Sequence, residues 1–330
     1  MSLVARALVP AASRLISTPS VRADSASWTS VKTSLDAVGA SARATYYTGP
    51  VSWKATCREK WRQFAILQLK IGILKIVTFN INNINKRLDN LVTWLRKTEP
   101  DVVCLQELKT EQRAFPERAL RALGYHSVWQ GERSWNGVAI LVRDQEPVLT
   151  RLSLPGNPED SQARYIEAAV NGVLIASIYL PNGNPQPGPK FNYKLAWFER
   201  LITHAAEFIA AGLPVVLAGD YNVVPTVQDI YPTRSLDNNA LIQPDSRQAF
   251  ARLVAQGWTD ALRRLHPEGP LWTFWDYERD RWRANKGMRL DHFLLSPILC
   301  ERLVDGGVDK WVRGEDNASD HAPAWIVLDL

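Results

Sequence analysis

The sequence is poor in cysteine: its 330 residues include three cysteines, Cys57, Cys104 and Cys300, which lie far apart. Three isolated thiols cannot form a disulfide scaffold, and they lack the paired spacing of a structural zinc site. The sequence also lacks any apolar run that approaches the roughly 20 residues needed to cross a bilayer. These absences exclude a disulfide-rich secreted domain, a zinc-ribbon protein and a membrane-spanning protein. They predict a soluble protein of a reducing compartment.

Acidic residues are scarce near the N-terminus. Residues 1–70 hold 10 of the 39 Lys and Arg residues but 3 of the 34 Asp and Glu residues, a local balance of +7. The remaining 260 residues hold 29 basic and 31 acidic residues, a balance of −2. The positive net charge therefore belongs to this segment. If the body binds nucleic acid, the binding must come from a local basic groove.

Residues 1–70 are rich in Ala, Ser, Thr and Arg and carry no long apolar periodicity. An acid-poor start of this kind is typical of an organellar transit peptide. A disordered tail, or upstream sequence from a misplaced start codon, is the preferred interpretation. We predict an N-terminal extension over residues 1–70, disordered or loosely docked. The expected location is the cytoplasm, at a bacterial nucleoid, or an organelle if the segment is a targeting peptide.

From Ile71 to Leu330 short β-branched runs alternate with amphipathic segments, without a linker. The predicted strands are Leu74–Asn80, Val102–Gln106, Gly137–Arg143, Ile166–Val170, Val173–Tyr179, Pro214–Ala218, Leu290–Leu295 and Ala324–Leu328. The predicted helices are Lys86–Lys97, Glu117–Leu123, Tyr193–Ala211, Ser246–Gln256 and Pro297–Val304. Asn171-Gly172 predicts a type I′ hairpin, so part of the sheet is antiparallel. Residues 71–330 are expected to form one α/β domain of packed sheets covered by helices.

Polar side chains stand where the predicted strands end. Asn80, Glu107, Tyr179 and Asp220 each follow an apolar run, and Asp320 precedes the last strand. Any one of them would be interpreted as a turn former or a helix cap. A sixth strand, that of Arg289-Leu290-Asp291-His292, starts from a polar residue. Together, six polar strand ends indicate a site, because strand ends along one edge of a sheet converge. Oxygen ligands without Cys or clustered His suit Mg²⁺ or Mn²⁺, and such ions neutralise phosphate charge during phosphoryl transfer.

Seven strings of residues resemble those of the exonuclease III family of abasic-site endonucleases, and they occur in the family's order. They are Phe79-Asn80-Ile81-Asn82, Leu105-Gln106-Glu107, Tyr179-Leu180-Pro181-Asn182-Gly183, Gly219-Asp220-Tyr221-Asn222, Thr273-Phe274-Trp275-Asp276-Tyr277, Arg289-Leu290-Asp291 and Ser319-Asp320-His321-Ala322-Pro323. The set covers residues 74–330 and is specific, whereas each string alone is weak. The resemblance implies a DNase I-like, four-layered α/β sandwich in which two packed mixed sheets are flanked by helices. Residues 71–330 would be the catalytic domain.

The resemblance also implies roles for individual residues. The implied catalytic residues are Tyr179, Asp220, Asn222, Asp291 and His321, and the implied metal-site residues are Asn80, Glu107, Asp220, Asn222 and Asp320. The implied DNA-binding residues are Asn82, Lys109, Asn182, Phe274, Trp275, Met288 and Leu290, although core packing is also expected of Trp275. Phe274, Met288 and Leu290 would line a pocket for a flipped abasic deoxyribose. Lys86, Arg87, Lys109 and Arg234 are candidates for phosphate contacts. Asn83 and Leu108 replace a usual Gly and Thr, which affects loop geometry and removes no catalytic group.

The residue types agree with these implied roles. Phosphodiester hydrolysis must neutralise charge on phosphate oxygens, deprotonate a water and protonate a leaving alkoxide. A cation held by Glu107 and Asp320 meets the first need. Asp220 can act as base or acid if its neighbours raise its pKa toward neutrality. His321, protonated beside a carboxylate, can donate to a phosphate oxygen. The alternative interpretation of His321 is a structural histidine before the last strand.

The predicted function is that of a metal-dependent DNA repair nuclease. It would cut the backbone 5′ to abasic sites and carry 3′→5′ exodeoxyribonuclease and 3′-end-cleaning activity. The expected cofactor is Mg²⁺, with Mn²⁺ as an alternative, and the expected partner is double-stranded DNA with abasic sites or 3′ ends. The protein is expected to be a monomer without a membrane partner. The alternatives are a phosphodiesterase for lipid head groups or inositol phosphates, and a DNA-end-binding protein that has lost catalysis.

Overall fold

The computed structural model describes residues 72–233 and 237–330. The predicted N-terminal extension over residues 1–70 and the predicted phosphate contact Arg234 lie outside the described residues. None of the helices in the described part of the chain is long and apolar enough to span a bilayer.

Within the described residues the chain forms twelve strands and six α-helices. The strands are β1 Ile73–Asn80, β2 Val102–Gln106, β3 Tyr125–Gln130, β4 Val138–Arg143, β5 Val148–Arg151, β6 Tyr165–Val170, β7 Val173–Tyr179, β8 Val215–Asp220, β9 Thr259–Asp260, β10 Asp291–Leu295, β11 Leu303–Val308 and β12 Ala324–Asp329. The helices are α1 Leu88–Thr98, α2 Glu117–Arg121, α3 Pro189–Ala211, α4 Pro244–Val254, α5 Ala261–Leu265 and α6 Pro297–Cys300. Single 3₁₀ turns occur at Gln112–Ala114, Val227–Asp229, Glu278–Asp280 and Lys310–Gly314.

The described strands form two mixed sheets of six. The first has the order β11-β12-β1-β2-β4-β3 and the second the order β5-β6-β7-β8-β10-β9. The pairs β1/β2 and β7/β8 are parallel, and the other pairs are antiparallel. Parallel neighbours end at the same edge of a sheet. The residues that follow β1 and β2, and those that follow β7 and β8, are therefore brought side by side.

Buried apolar side chains join the layers. The inner faces of the two sheets share one core, in which Ile76 and Ile140 of the first sheet pack with Ile175 and Val216 of the second. On the outer faces, α1 covers the first sheet, and α3 and α4 cover the second. Because the central strands are covered on both faces, they are continuous apolar runs rather than alternating ones. The predicted four-layered α/β sandwich is confirmed.

The predicted elements of the sheet centre are present with small shifts at their ends, and the hairpin is confirmed. Val170 pairs with Val173, and Asn171 and Gly172 have φ angles of 50° and 82°, as a type I′ turn requires. The helix predicted over Pro297–Val304 is too long at its C-terminal end, so that part of the prediction is wrong. It stops at Cys300, and Leu303 begins β11. The strands absent from the prediction are the four at the sheet edges, β3, β5, β9 and β11.

Candidate active site

The candidate active site lies where the edges of the two sheets meet. Asn80 is the last residue of β1 and Asp220 the last of β8, and the Asn80 side-chain amide donates to Asp220 Oδ2 at 3.0 Å. The Tyr179 hydroxyl, at the end of β7, donates to Glu107 Oε1 just beyond β2, at 2.8 Å. Two hydrogen bonds thus connect residues of different sheets. Most of the polar strand ends predicted to converge do so here.

Glu107 is surrounded by groups that favour its charged form. Its Oε1 also accepts from the Asn80 amide at 2.9 Å, and its Oε2 lies 2.6 Å from Lys109 Nζ. Burial acts to raise the pKa of Glu107, but the charge of Lys109 and the hydrogen bonds from Asn80, Lys109 and Tyr179 outweigh it, so the pKa is lowered. The side chain is therefore a carboxylate at neutral pH, beside a cation.

Asn82 connects this carboxylate to the last loop of the chain. Its Oδ1 accepts from Lys109 Nζ at 2.7 Å, and its amide donates to Asp320 Oδ1 at 3.0 Å. Ser319 donates to the Asn80 carbonyl at 2.7 Å, which fixes the loop that carries Asp320. The structure therefore brings Glu107 and Asp320 to the two sides of Asn82.

The backbone of these loops is held in an uncommon conformation. Asn82, Glu107, Lys109 and Asn222 have φ angles between 46° and 52°, a region that non-glycine residues occupy rarely. Such residues concentrate at functional sites, where the surrounding structure enforces them. Asn83 has a φ of 86°, which explains why a glycine suits that position in the family that the sequence resembles.

Asp220 and Asn222 form the second part of the site, after β8. The Asn222 backbone N–H donates to Asp220 Oδ1 at 2.9 Å, and the Asn222 side-chain amide donates to the Leu180 carbonyl at 2.9 Å. Asn182 donates from its side chain to Asn222 Oδ1, also at 2.9 Å. Burial raises the pKa of Asp220 to about 7, against the charge of His321. Its carboxyl can therefore gain and lose a proton near neutral pH.

His321 and Asp291 form a buried pair. His321 Nδ1 lies 2.8 Å from Asp291 Oδ2, and its Nε2 lies 3.8 Å from Asp220 Oδ2. Burial alone would lower the pKa of His321, but Asp291, Asp220 and Asp320 outweigh it and raise it to about 10. The imidazolium therefore persists at neutral pH, with Nδ1 held by Asp291 and Nε2 directed toward Asp220.

Tyr179 is a donor in this arrangement rather than a base. Burial, followed by the charge of Glu107, raises the pKa of its phenol well above the ordinary value. The guanidinium of Arg164 lies over the ring, 4.7 Å from its centroid. The hydroxyl therefore keeps its proton, which it donates to Glu107.

An apolar cluster, which we call the pocket cluster, lies beside the His–Asp pair. Its members are Val224, Leu241, Met288 and Leu290, with the partly buried Ile230, Ile242 and Phe274 around them. The Phe274 ring packs against the His321 ring with centroids 4.9 Å apart. The structure therefore brings together Phe274, Met288 and Leu290, which the sequence assigned to one pocket, and places them next to His321.

Buried ion pairs stabilise the segment that carries Met288 and Leu290 of the pocket cluster. Arg289, between Met288 and Leu290, is almost fully buried and donates to Asp229 Oδ1 at 2.7 Å. It also pairs with Asp260 at 2.8 Å. Asp229 receives a further bond from Arg263 at 2.6 Å. These contacts fix the segment before β10 that carries the two apolar side chains.

Two predicted DNA contacts are corrected by the structure. Trp275 is fully buried and packs edge-on against Trp282 at 5.0 Å, so its side chain supports the loop and cannot reach DNA. Arg87 is also buried. It donates to the Asn82 carbonyl and to the Tyr277 hydroxyl at 2.8 Å. Its guanidinium joins two loops of the site instead of facing a phosphate. Lys86 is exposed, and its role stays a prediction.

Sequence reasoning missed two residues that support the site. Thr273 Oγ1 accepts from the backbone N–H groups of Leu290 and Asp291 at 3.1 and 3.2 Å. Lys194 is fully buried on α3 and donates to the carbonyls of Asn182 and Asn222. A signal for Lys194 is present in the sequence, because it lies three residues from both Phe191 and Trp197 on the apolar face of the helix.

The donor set at Glu107 suits a hard cation rather than zinc. In the described part of the chain no three His, Cys, Asp or Glu residues form a metal-ligating group. Glu107 is instead accompanied by the amides of Asn80 and Asn82, and by Asp320 beyond Asn82. Mg²⁺ is usually bound by one or two carboxylates, with water and substrate phosphate completing its shell. The residues present therefore fit Mg²⁺.

Two joined sheet edges that carry a carboxyl group with a pKa of about 7, a histidine with a pKa of about 10 and several amides indicate a phosphoester hydrolase of the α/β-sandwich class. A sequence model of the Endonuclease/Exonuclease/phosphatase family matches residues 77–321. Exodeoxyribonuclease III of Haemophilus influenzae is 33% identical over 264 residues, which are 76% of this chain and 98% of that relative.

Solved structures show the same similarity. An AP endonuclease from Archaeoglobus fulgidus has a TM-score of 0.74 and 36% identity, over 78% of this chain and 100% of that one. The 3′ phosphatase NExo from Neisseria, bound to a product DNA hairpin, has a TM-score of 0.75 and 37% identity with the same coverage. The chain belongs to the Endonuclease/Exonuclease/phosphatase family. It is a hydrolytic nuclease related to exodeoxyribonuclease III and the AP endonucleases, which confirms the expected family, fold and enzyme class.

Proposed function

We propose that this nuclease is a Mg²⁺-dependent DNA repair enzyme that hydrolyses the phosphodiester 5′ to abasic sites, with 3′→5′ exodeoxyribonuclease and 3′-end-cleaning activity. One observation carries the proposal. Asp220 and His321, which can handle protons and phosphate charge, lie 3.8 Å apart, and Phe274 of the pocket cluster packs directly on His321. A phosphate that reaches the pair therefore has an apolar pocket beside it for the neighbouring sugar.

Glu107 and Asp320 are the carboxylates that would hold Mg²⁺, with Asn80 beside them. When bound, the cation neutralises charge on the phosphate oxygens. Lys109 Nζ already provides one positive charge at Glu107, at 2.6 Å. The lowered pKa of Glu107 keeps its carboxylate ionised over the whole range in which the enzyme would work.

Asp220 is the proposed proton-transfer residue. Its pKa of about 7 lets it accept a proton from water and release one again at neutral pH, the requirement for general acid–base catalysis. Amide groups hold the carboxylate: Asn80 donates to Oδ2 and the Asn222 backbone to Oδ1. Its orientation therefore does not depend on the substrate.

His321, Asn222, Asn182 and Tyr179 are proposed to bind and orient the phosphate. His321 is charged, and its Nε2 is farther from Asp220 than a hydrogen bond allows. This nitrogen is therefore free to donate to a phosphate oxygen. Asp291 holds the ring through Nδ1 and stabilises its charge. Fixed donors of this kind stabilise charge that develops in the transition state.

The pocket cluster is proposed to receive an abasic deoxyribose. A sugar without a base is small and is easily turned out of the helix, because little stacking is lost. Phe274 is partly exposed while Met288 and Leu290 are buried behind it, so the cluster offers an apolar wall of limited depth. A relative bound to a DNA hairpin and relatives named exodeoxyribonuclease III and AP endonuclease support DNA as the partner.

The proposed residues of the site all come from one chain, so we propose that the enzyme acts as a monomer. Basic side chains near the site, Lys86 and Lys109, are proposed to contact the DNA backbone. The location, a cytoplasmic nucleoid or an organelle if residues 1–70 are a targeting peptide, stays a prediction.

A panel of substrates tests the proposal. The purified protein is incubated in Mg²⁺ with a labelled duplex containing one abasic analogue, an undamaged duplex with recessed 3′ ends, and an inositol phosphate. We expect one cut immediately 5′ to the abasic analogue, slower shortening of the 3′ ends and no release of phosphate from the inositol compound. Hydrolysis of the inositol compound, with both duplexes intact, would contradict the proposal.

A further inference from the structure

Lys194 is a buried amine that belongs neither to the proposed metal site nor to the phosphate-binding groups, and burial lowers its pKa to about 7. It lies on α3, in a row of buried residues that includes Phe191, Trp197 and Phe198, and its side chain is fully buried. A buried amino group is costly unless polar partners surround it. The position is therefore one where an apolar residue would be expected, and the partners of Nζ indicate its use.

Those partners are backbone groups of the two loops that build the second part of the site. Lys194 Nζ donates to the Asn182 carbonyl at 3.1 Å and to the Asn222 carbonyl. Asn182 follows β7 and Asn222 follows β8, and these strands are parallel neighbours. One amino group thus joins the backbones of the two loops, and the Asn182 side chain also donates to the Asn222 side chain at 2.9 Å.

Gly183 shows how closely the first loop packs on this side chain. It has a φ of 88°, and a Cβ added there would lie 2.7 Å from Lys194 Cδ. The loop therefore contacts the alkyl stem as well as Nζ. On the other side, Asn222 has a φ of 46°, and its N–H donates to Asp220 Oδ1. A bond to the Asn222 carbonyl thus restrains the turn that sets the Asp220 carboxylate.

We propose that Lys194 is a positioning residue for hydrolysis: it ties the Asn182 and Asn222 backbones together and so fixes the Asn222 amide and the Asp220 carboxylate relative to each other. Lys194 itself touches no substrate, since its side chain is fully buried against the two loops. Small displacements of reacting groups cost large factors in rate, so its loss acts on turnover more than on substrate binding.

The test compares Lys194→Met, which keeps the stem and removes the amino group, with Lys194→Gln, which keeps a shorter hydrogen-bond donor. Lys190→Met is the matched control, because Lys190 is exposed on the same helix. For Lys194→Met we expect kcat on the abasic duplex to fall by about 10²-fold with KM within a few-fold. Lys194→Gln should recover part of the loss, and Lys190→Met should keep the wild-type kcat.

A second readout separates positioning from general destabilisation. Lys194→Met is combined with Asn222→Ala in a double-mutant cycle under single-turnover conditions. If Lys194 acts through Asn222, the double variant should be little slower than Asn222→Ala, because the group being positioned is already absent. Multiplicative losses would overturn the proposal, as would a folded Lys194→Met with a kcat within three-fold of wild type.

Folding is checked for each variant by circular dichroism and thermal melting. If neither Lys194→Met nor Lys194→Gln folds, Lys194 is a core residue and the proposal is rejected. The proposal rests on the proposed function only for its substrate. Cleavage of the abasic duplex by the wild-type protein tests the proposed function. The ratio of variant to wild-type kcat tests the role of Lys194. If wild type cleaves only 3′ ends, the ratio is measured on the recessed duplex.

Discussion

Replacement of Asp291 by Asn removes the carboxylate that holds His321 at 2.8 Å while keeping the size of the side chain. In the wild-type protein the pKa of His321 is raised from 6.5 to about 10 although burial alone would lower it. A shift of that size corresponds to about 5 kcal/mol in favour of the protonated form. Among the carboxylates that raise the pKa of His321, Asp291 has the largest effect, ahead of Asp220 and Asp320. We therefore expect its loss to lower the pKa by on the order of two units.

The sign of the pH effect follows from this shift. The wild-type imidazolium is present at every pH below about 10, so its activity should not decline between pH 7 and 9 on account of His321. In Asp291→Asn the ring should lose its proton within that range. The variant should be closest to wild type at about pH 6, and the ratio of wild-type to variant kcat should grow by about ten-fold for each unit that the pH exceeds the lowered pKa.

The assay measures kcat on a saturating abasic duplex in Mg²⁺ from pH 6 to pH 9, with the His321 ring followed by NMR in the same range. Asp305→Asn, which removes an exposed carboxylate on β11, is the control and should keep the wild-type profile. Folding stability gives an independent check. The pair contributes stability that is fully present below pH 6.5 and is lost as the pH rises toward 10. Parallel pH profiles for wild type and Asp291→Asn would refute the reasoning.

Four further changes have defined outcomes. Glu107→Ala should lower the single-turnover rate by about 10²-fold or more but change the DNA Kd only a few-fold, because most affinity comes from phosphate contacts elsewhere; full activity in dilute Mg²⁺ would contradict the metal site. Asp220→Asn should lose about 10²–10⁴-fold in rate, and a rate near wild type would make Asp220 a structural residue. Asp229→Asn should lower the free energy of unfolding at pH 7 by about 3–5 kcal/mol, since Arg263 loses its carboxylate partner and Arg289 keeps only Asp260. The pKa of Asp229 lies below its ordinary 3.8, so this loss should fade as the pH falls below about 4, and equal losses in urea melts at pH 7 and pH 3 would argue against it. A chain that begins at residue 71 should keep kcat and bind DNA more weakly only at low salt; a folded truncation without turnover would place part of the site in the extension.

The centre of the fold could be predicted from the sequence because the central strands are unbroken apolar runs, such as β2 and β8. A polar residue directly after such a run, as at Glu107 or within Gly219–Asn222, marks the end of the strand. The edge strands could not be predicted in this way. They are partly exposed on at least one face, and β11 contains Asp305-Gly306-Gly307, a composition that favours a turn.

Partners distant in the sequence explain the errors at the site. Arg87 was a candidate for a phosphate contact because its loop lies at the presumed edge of the site, but its partner Tyr277 lies 190 positions away. Lys194 donates to two backbone carbonyls. Every residue has a backbone carbonyl, so a sequence motif cannot indicate which ones a side chain binds. Trp275 was expected to pack in the core as well as to bind DNA, and its full burial agrees with the first expectation.

The central claim is that the joined sheet edges form a metal-dependent site for abasic DNA. The most direct measurement is the single-turnover rate of incision of a duplex with one abasic analogue, recorded in Mg²⁺, after addition of EDTA, and after Mg²⁺ is restored. The account predicts incision 5′ to the lesion in Mg²⁺, its loss in EDTA and its full return. It also predicts that an otherwise identical undamaged duplex is not cut internally. Incision that continues in EDTA, or that occurs equally in the undamaged duplex, would contradict the assignment of a metal-dependent site for abasic DNA.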